Sequence, residues 1–155
     1  MKYSHEPPGY VCPFCLIAAG KDDDGIWTKQ SDVVYRSERV TAFVSARWWP
    51  NNAGHVIVIP NAHIENIYVM PQTLHGEIYE TARRTAIALK QVFQCDGTST
   101  RQHNEPGGYQ EIWHYHLHIF PRYKDDDLYV LTPQARLTDP EERLPFADRL
   151  RQALK

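Results

Sequence analysis

The chain has 155 residues, with 17 Lys and Arg against 19 Asp and Glu and a formal net charge of −2. Apolar residues make up 42% and charged residues 23%, which excludes a disordered tail, a collagen-like repeat and a disulfide-dense mini-protein. The slight acid excess argues against nucleic acid as a partner, because a duplex-binding domain carries a clear basic surplus; a small anionic ligand needs only a few local donors. No apolar run is long enough for a membrane span, so no membrane partner is expected. Met1–Tyr10 has no apolar stretch of the kind a secretory signal needs. Three cysteines, Cys12, Cys15 and Cys95, are an odd count without a signal, and predict reduced thiols and a cytoplasmic location.

Taken in chain order, Cys12 and Cys15 form a C-x-x-C unit, a metal or redox pattern in that setting. Lys21–Gly25 reads as a charged turn. Val33–Glu38 and Val40–Ser45 are short and β-rich, and predict a two-stranded hairpin. Trp48–Gly54, with Pro50 and two asparagines, predicts a loop, and His55–Ile59 a buried strand ended by Pro60. Leu74, Ile78, Ala82, Thr85, Leu89 and Val92 lie on one stripe at helical spacing, so a long helix is expected over Pro71–Phe93. Thr98–His103 predicts a strand, Glu105–Tyr109 a turn, and Glu111–Phe120 a strand stopped by Pro121. Asp125–Asp127 reads as a solvated turn, and the tail from Asp139 as a short helix with Leu144, Ala147, Leu150 and Leu154 on one side. Cys95, at the end of the long helix, reads as a small apolar residue. Strands around one long helix, without βαβ alternation, predict a single α+β domain over residues 1–155: a mostly antiparallel sheet of about five strands, one long helix and a short C-terminal helix.

The densest chemistry lies in Trp113–Pro121. On a strand, His114, His116 and His118 share one face, and Trp113, Tyr115, Leu117 and Ile119 the other. Three imidazoles in a row on a half-buried face cost desolvation and pack poorly, whereas histidine suits acid–base, nucleophilic and metal roles near neutral pH. Alternate strand residues are about 6.6–7 Å apart and metal–nitrogen bonds about 2 Å, so all three cannot easily converge on one ion. At least one is free for chemistry, and an imidazole can attack phosphorus to form a phosphoramidate.

His114-Tyr115-His116-Leu117-His118 with Ile119 and Phe120 resembles the H-x-H-x-H signature of the histidine-triad (HIT) superfamily. Gly54-His55 with Val56–Pro60, followed by His63, Glu65 and Asn66, is similar to a second family strand, and Cys12-Pro13-Phe14-Cys15 to the N-terminal unit of zinc-bearing bacterial members. Gln110 stands four residues before the first triad histidine, as the family's glutamine does. The resemblance spans about residues 11–123 and leaves 124–155 as a C-terminal extension. It implies a HIT-like fold and a hydrolase that releases a nucleoside monophosphate from a phosphoramidate or dinucleoside polyphosphate. His116 would be the nucleophile, His118 would contact the phosphate oxygens, His55 would line the same pocket, and Gln110 would donate to the phosphate or the leaving group. Related uridylyltransferases carry glutamine at the third triad position; His118 implies water as acceptor. The resemblance also implies a structural zinc on Cys12, Cys15, His63 and His114, no organic cofactor, a nucleotide or nucleotide conjugate as ligand, and a homodimer whose partner the final helix packs on.

The sequence departs from the family at Arg47, where an Asp or Asn usually binds the ribose hydroxyls. Arginine cannot accept a hydrogen bond, but it can pair with a second phosphate or a carboxylate. Trp48 or Trp49 is a candidate to stack on a base or to pack at the surface. Asn104 or His103, depending on register, would take the place of the family's asparagine near the phosphate. Glu111 reads as a solvated strand end. Three other readings compete: a zinc hydrolase with its metal on His114 and His116, a non-catalytic nucleotide-binding module, and a redox role for Cys12 and Cys15, which would need a strand before the first cysteine and a helix opening at it.

Overall fold

A computed structural model describes residues 3–155. The elements run α1 (Pro13–Ala18), β1 (Val33–Arg36), β2 (Val40–Val44), β3 (Arg47–Trp48), β4 (Val56–Pro60), α2 (Gln72–Phe93), β5 (Gly97–Gln102), β6 (Leu117–Arg122), β7 (Arg136–Leu137) and α3 (Pro140–Ala153), with short 3-10 turns between them. The five-stranded sheet has the order β1-β2-β4-β6-β5, and every neighbouring pair is antiparallel. The expected α+β architecture, with its long and C-terminal helices, is what forms.

Register decides what each face carries. Phe43, Ile57, His118 and Arg101 pair in turn across β2, β4, β6 and β5 and so form one row on one face. The adjacent row, Ala42, Val58 and Leu117, points the other way and joins the main core with Leu74, Ile78, Ala82 and Leu89 of α2 and Ala147 and Leu150 of α3. Both long helices therefore serve that core, and the opposite face is left for α1 and a cleft.

Several boundaries differ from the sequence expectation. The strand foreseen over Glu111–Phe120 starts only at Leu117 and runs through Pro121 to Arg122. Upstream, the His114 amide donates to Ile112 O (2.8 Å) and the Tyr115 amide to Ile64 O (2.6 Å), so the chain turns there instead of running along β4. Pro121 does not end the strand because β4 accompanies β6 only as far as Ile119, and a proline is tolerated where one side is an edge. Trp48, expected to open a loop, instead pairs with Arg136, next to Arg47 against Leu137. The long helix ends at Phe93 as expected, but its left-handed cap is Gln94 (φ 52°), and Gly97 is the first residue of β5. Gly54 is required where it stands: its φ is +78°, and a Cβ there would lie 2.6 Å from Phe146 Cδ1.

The tail is also reassigned. α3 packs on α2, β1 and β2 of its own chain. Its inward stripe is Arg143, Ala147, Leu150 and Leu154, while Leu144 is exposed. Arginine takes the inward place because its guanidinium forms a two-pronged pair with Asp32 (Nε–Oδ1 and Nη2–Oδ2, each 2.8 Å) and both residues are fully buried. Asp126, expected in a solvated turn, is likewise buried: it accepts from Arg122 (2.7 Å), Asn52 (2.7 Å) and the amides of Tyr123 and Leu128. Cys95 is buried among apolar residues, as expected of a small hydrophobe.

Candidate active site

The face that carries His118 and Arg101 opens into a cleft of about 490 Å³, whose lining includes Phe14, Trp49, His103 and His116. His116 is held by a tight local bond: its Nδ1 lies 2.7 Å from His114 O. A carbonyl only accepts, so Nδ1 carries the hydrogen and Nε2 keeps its lone pair. His118 Nδ1 meets His55 Nε2 at 3.3 Å, and His55 Nδ1 is buried without a partner. A buried N–H left unpaired costs more than a bare acceptor, so His55 donates from Nε2 to His118 Nδ1, and His118 carries its hydrogen on Nε2. His55 is clamped by its stack on Phe120, with ring centroids 4.4 Å apart.

His116, His118 and His55 all favour the neutral ring. Burial pushes His116 down to about 4, with the nearby His103 and Arg101 adding in the same direction against its bond to the carbonyl. Burial and then the charge of Arg101 take His55 to about 3. His118 is held well below the ordinary imidazole value by burial first, then by His116, His55, Arg101 and His103. A neutral ring pair results in which one nitrogen can attack and the next can donate.

Beside the cleft, Cys12 Sγ lies 3.3 Å from His114 Nδ1, and Cys15 Sγ lies 3.2 Å from His63 Nδ1 and 3.5 Å from His114 Nδ1. The four ligand atoms all fall within 4.8 Å of one another. A tetrahedron with metal–ligand bonds of roughly 2.0–2.3 Å has edges of about 3.3–3.8 Å, so the set fits a metal of that geometry. The outer nitrogens agree: His114 Nε2 donates to Pro60 O (2.9 Å) and His63 Nε2 to Glu6 Oε2 (2.9 Å), so both rings turn an unprotonated Nδ1 inward. Burial, with Cys12 beside it, pushes the Cys15 thiol up to about 12; a bound cation reverses that preference, because a coordinating thiol is deprotonated. A helix does open at Cys12, whose Sγ accepts from the Cys15 amide. Among the described residues no strand precedes it, so the arrangement required for the redox reading is incomplete.

The structure brings together most, not all, of the expected site residues. His116, His118, His103 and Arg47 line the cleft. His55 sits behind His118 instead of lining the cleft. Gln110 is buried and committed: its Nε2 donates to Glu65 O (2.6 Å) and Ile112 O (3.0 Å), and its Oε1 accepts from the Glu105 amide (2.9 Å). It has no amide proton left for a substrate. Asn104 is tied to the Ile67 amide and to Gln102, so of the two candidates His103 is the one that faces the cleft. Trp48 turns into the main core against Phe146 (4.8 Å), and Trp49 faces the cleft. His114 and His116 do not converge on one ion, since one ring joins the cysteines and the other the cleft. Arg101 enters the site because it pairs directly with His118; the alternation of Ser99, Arg101 and His103 along the expected strand was the signal available for it. Tyr129, Thr132 and Leu137 come from the tail, where no pattern pointed to them.

The HIT domain family matches residues 28–125 of the chain. "Protein hit" of Bacillus subtilis (strain 168) is 34% identical over 116 residues, 75% of this chain and 74% of the relative. A solved HIT-like protein from Bartonella henselae, described as involved in cell-cycle regulation and holding an unknown ligand, superposes with a TM-score of 0.71. It is 30% identical, with 79% of this chain and 85% of that one covered. A Zn-bound histidine triad family protein from Mycobacterium smegmatis is 25% identical, with a TM-score of 0.73 and 92% of each chain covered.

Proposed function

Because the chain belongs to the HIT domain family, we propose that it is a hydrolase that releases a nucleoside monophosphate from a phosphoramidate or dinucleoside polyphosphate through a covalent bond to His116. The carrying observation is that His116 Nδ1 is tied to His114 O, which leaves Nε2 its lone pair, with the His118 ring beside it at 5.1 Å between centroids. The His116 lone pair forms the N–P bond as the P–N or P–O bond to the leaving group breaks. The leaving group departs with that electron pair and takes a proton from solvent. His114 O stabilises the imidazolium by accepting its Nδ1–H, and the His118 N–H binds a phosphate oxygen. Water then attacks phosphorus, the N–P bond breaks, and the neutral ring is restored as the water's proton is lost.

Cys12, Cys15, His63 and His114 would hold zinc, a proposal supported by the donor set, the inward Nδ1 atoms and the Zn-bound relative. Zinc bound there supplies no open coordination position and acts as a clamp between the Cys12–Cys15 segment and the sheet. The homodimer and the cytoplasmic location rest on the family resemblance and the unpaired cysteines; no helix among the described residues is long and apolar enough to cross a membrane. Sedimentation of the purified chain tests the dimer.

The test of the activity is AMP release from an adenosine phosphoramidate and from a diadenosine polyphosphate by wild type and His116→Ala, with a radiolabel trapped on the wild-type chain by an alkaline detergent quench, because the N–P bond is stable to base and labile to acid. Release and a trapped label that both vanish in the variant support the reading. Release that survives in the variant, or no release from either substrate by the wild type, overturns it.

A further inference from the structure

A neutral imidazole that attacks a phosphoryl group meets an anion. The charge sits on the non-bridging oxygens, repels the incoming lone pair, and grows there as phosphorus becomes five-coordinate. Neutral rings can answer it only with hydrogen bonds. The cleft holds two full positive charges, Arg47 and Arg101. Arg47 is half exposed and lies 3.5 Å from Glu111, the only carboxylate of the lining. Arg101 is the uncommitted one: among the described residues it forms no ion pair, and its Nε is buried without a hydrogen-bond partner.

Register puts that charge at the reacting centre. Arg101 is the direct partner of His118 across β5 and β6, and directly opposite side chains on one face start about 5 Å apart. The His118 ring lies 5.1 Å from the His116 ring, centroid to centroid. Histidine, histidine and arginine therefore follow one another across the cleft floor. Trp49 and Phe120 meet nearly at right angles, 5.2 Å apart, and the guanidinium sits against both, 4.9 and 5.0 Å from their centres. That corner holds the guanidinium by its contacts with the two rings and offers its N–H groups no acceptor. A planar, permanently charged fork matches two oxygens of one phosphoryl group.

Resting on the phosphoryl-transfer reading above, we propose that Arg101 is a further catalytic residue: its fork donates to the two non-bridging oxygens of the phosphorus that His116 attacks, and stabilises the five-coordinate transition state more than the bound substrate. It moves no proton and forms no covalent bond. His116 Nε2 supplies the electron pair of the N–P bond, and the bond to the leaving group breaks with its own pair. Arg101 holds the charge that collects on the oxygens between these two events. An unpaired cation in a half-buried place costs the free chain stability, so its removal is expected to slow the reaction without weakening the fold.

The test is kcat, KM and melting temperature for wild type, Arg101→Met and Arg101→Lys, with AMP release read from adenosine phosphoramidate and from a diadenosine polyphosphate. Methionine keeps apolar contact with Trp49 and Phe120; lysine keeps a charge without the fork. Arg101→Met is expected to lower kcat by about 100-fold or more, with KM within about fivefold, and to melt no lower than wild type. Arg101→Lys is expected to be about tenfold faster than Arg101→Met. A merely structural arginine would lose rate only together with stability. The inference is overturned, and the hydrolase reading left standing, by any of four results: kcat of Arg101→Met within about threefold of wild type, a change in KM alone, lysine no faster than methionine, or rate and stability lost together in both variants. No release by the wild type overturns both. If Arg101→Met does not fold, Arg101→Lys decides: a kcat about tenfold down at unchanged melting temperature supports the clamp, and a kcat within about threefold of wild type overturns it.

Discussion

The carbonyl of His114 accepts the Nδ1–H of His116 at 2.7 Å, while the His114 ring points at Cys12 and Cys15. One residue thus orients the cleft with its backbone and completes the Cys2His2 cluster with its side chain. His116→Ala is expected to lower kcat by about a thousandfold or more while AMP still binds within a few-fold of wild type. His114→Ala is expected to lower it by about 10–100-fold, because the peptide that fixes the tautomer loses its anchor. Steady-state kinetics on both variants checks the ranking, which would be wrong if His114→Ala were silent.

Metal content is measurable directly. About one zinc per chain is expected by elemental analysis, falling to near zero in Cys12→Ala. Glu6→Ala, which removes the carboxylate on His63 Nε2, is expected to weaken zinc by about tenfold, the low end for such a partner because Glu6 is partly exposed. Chelator competition reads that shift without any assay of activity.

Asp126 predicts an acid-labile fold. Hydrogen bonds from Arg122 first, then from Tyr123, Asn52 and Leu128, hold its carboxyl well below the usual carboxylate range. A folded pKa below the unfolded value of about 3.9 means the contribution is complete above pH 4–5 and lost as pH falls below that. Asp126→Ala is expected to cost about 3 kcal/mol at pH 7, leaving Arg122 and Asn52 without their partner, and to flatten the acid limb of stability. Urea unfolding at pH 7 and pH 3.5 gives both numbers.

The Arg143–Asp32 pair, fully buried, predicts a non-additive cycle. Arg143→Ala alone is expected to cost about 3–5 kcal/mol, since it strands a buried carboxylate. Adding Asp32→Leu should recover part of that loss. A double variant less stable than Arg143→Ala would show that the pair is not what the first substitution broke.

Gln110→Ala tests where the amide is committed. With its three hydrogen bonds to Glu65, Ile112 and Glu105, its loss is expected to cost about 1–3 kcal/mol of stability and to leave KM within about threefold. A large rise in KM at unchanged melting temperature would return Gln110 to the substrate.

The legible part of the site was local. Cys12-x-x-Cys15, His63 and the histidine triad are short-range patterns whose chemistry is set by residue type, and the structure places Cys12, Cys15, His63 and His114 together and His116 and His118 in one cleft. The strand period misled at Glu111–His116, because a backbone bond from Tyr115 to Ile64, distant in sequence, outweighs local β-preference there. The hydrogen bonds that tie up Gln110 and Asn104 were hidden for a related reason: their spacing to the triad is visible, but the turn that engages their amides is not.

Helix and strand periods, glycine and proline punctuation and residue chemistry are properties of neighbouring residues, so the α+β class, the long helix and the candidate histidines followed from the chain alone. Pairings that span a hundred positions follow from none of these. Arg143 against Asp32, His55 behind His118, and Arg101 opposite His118 with Trp49 beneath it exist because sheet register and helix packing bring distant segments into contact. Burial then sets their charge and protonation, and burial is a property of the assembled core, not of any stretch of sequence.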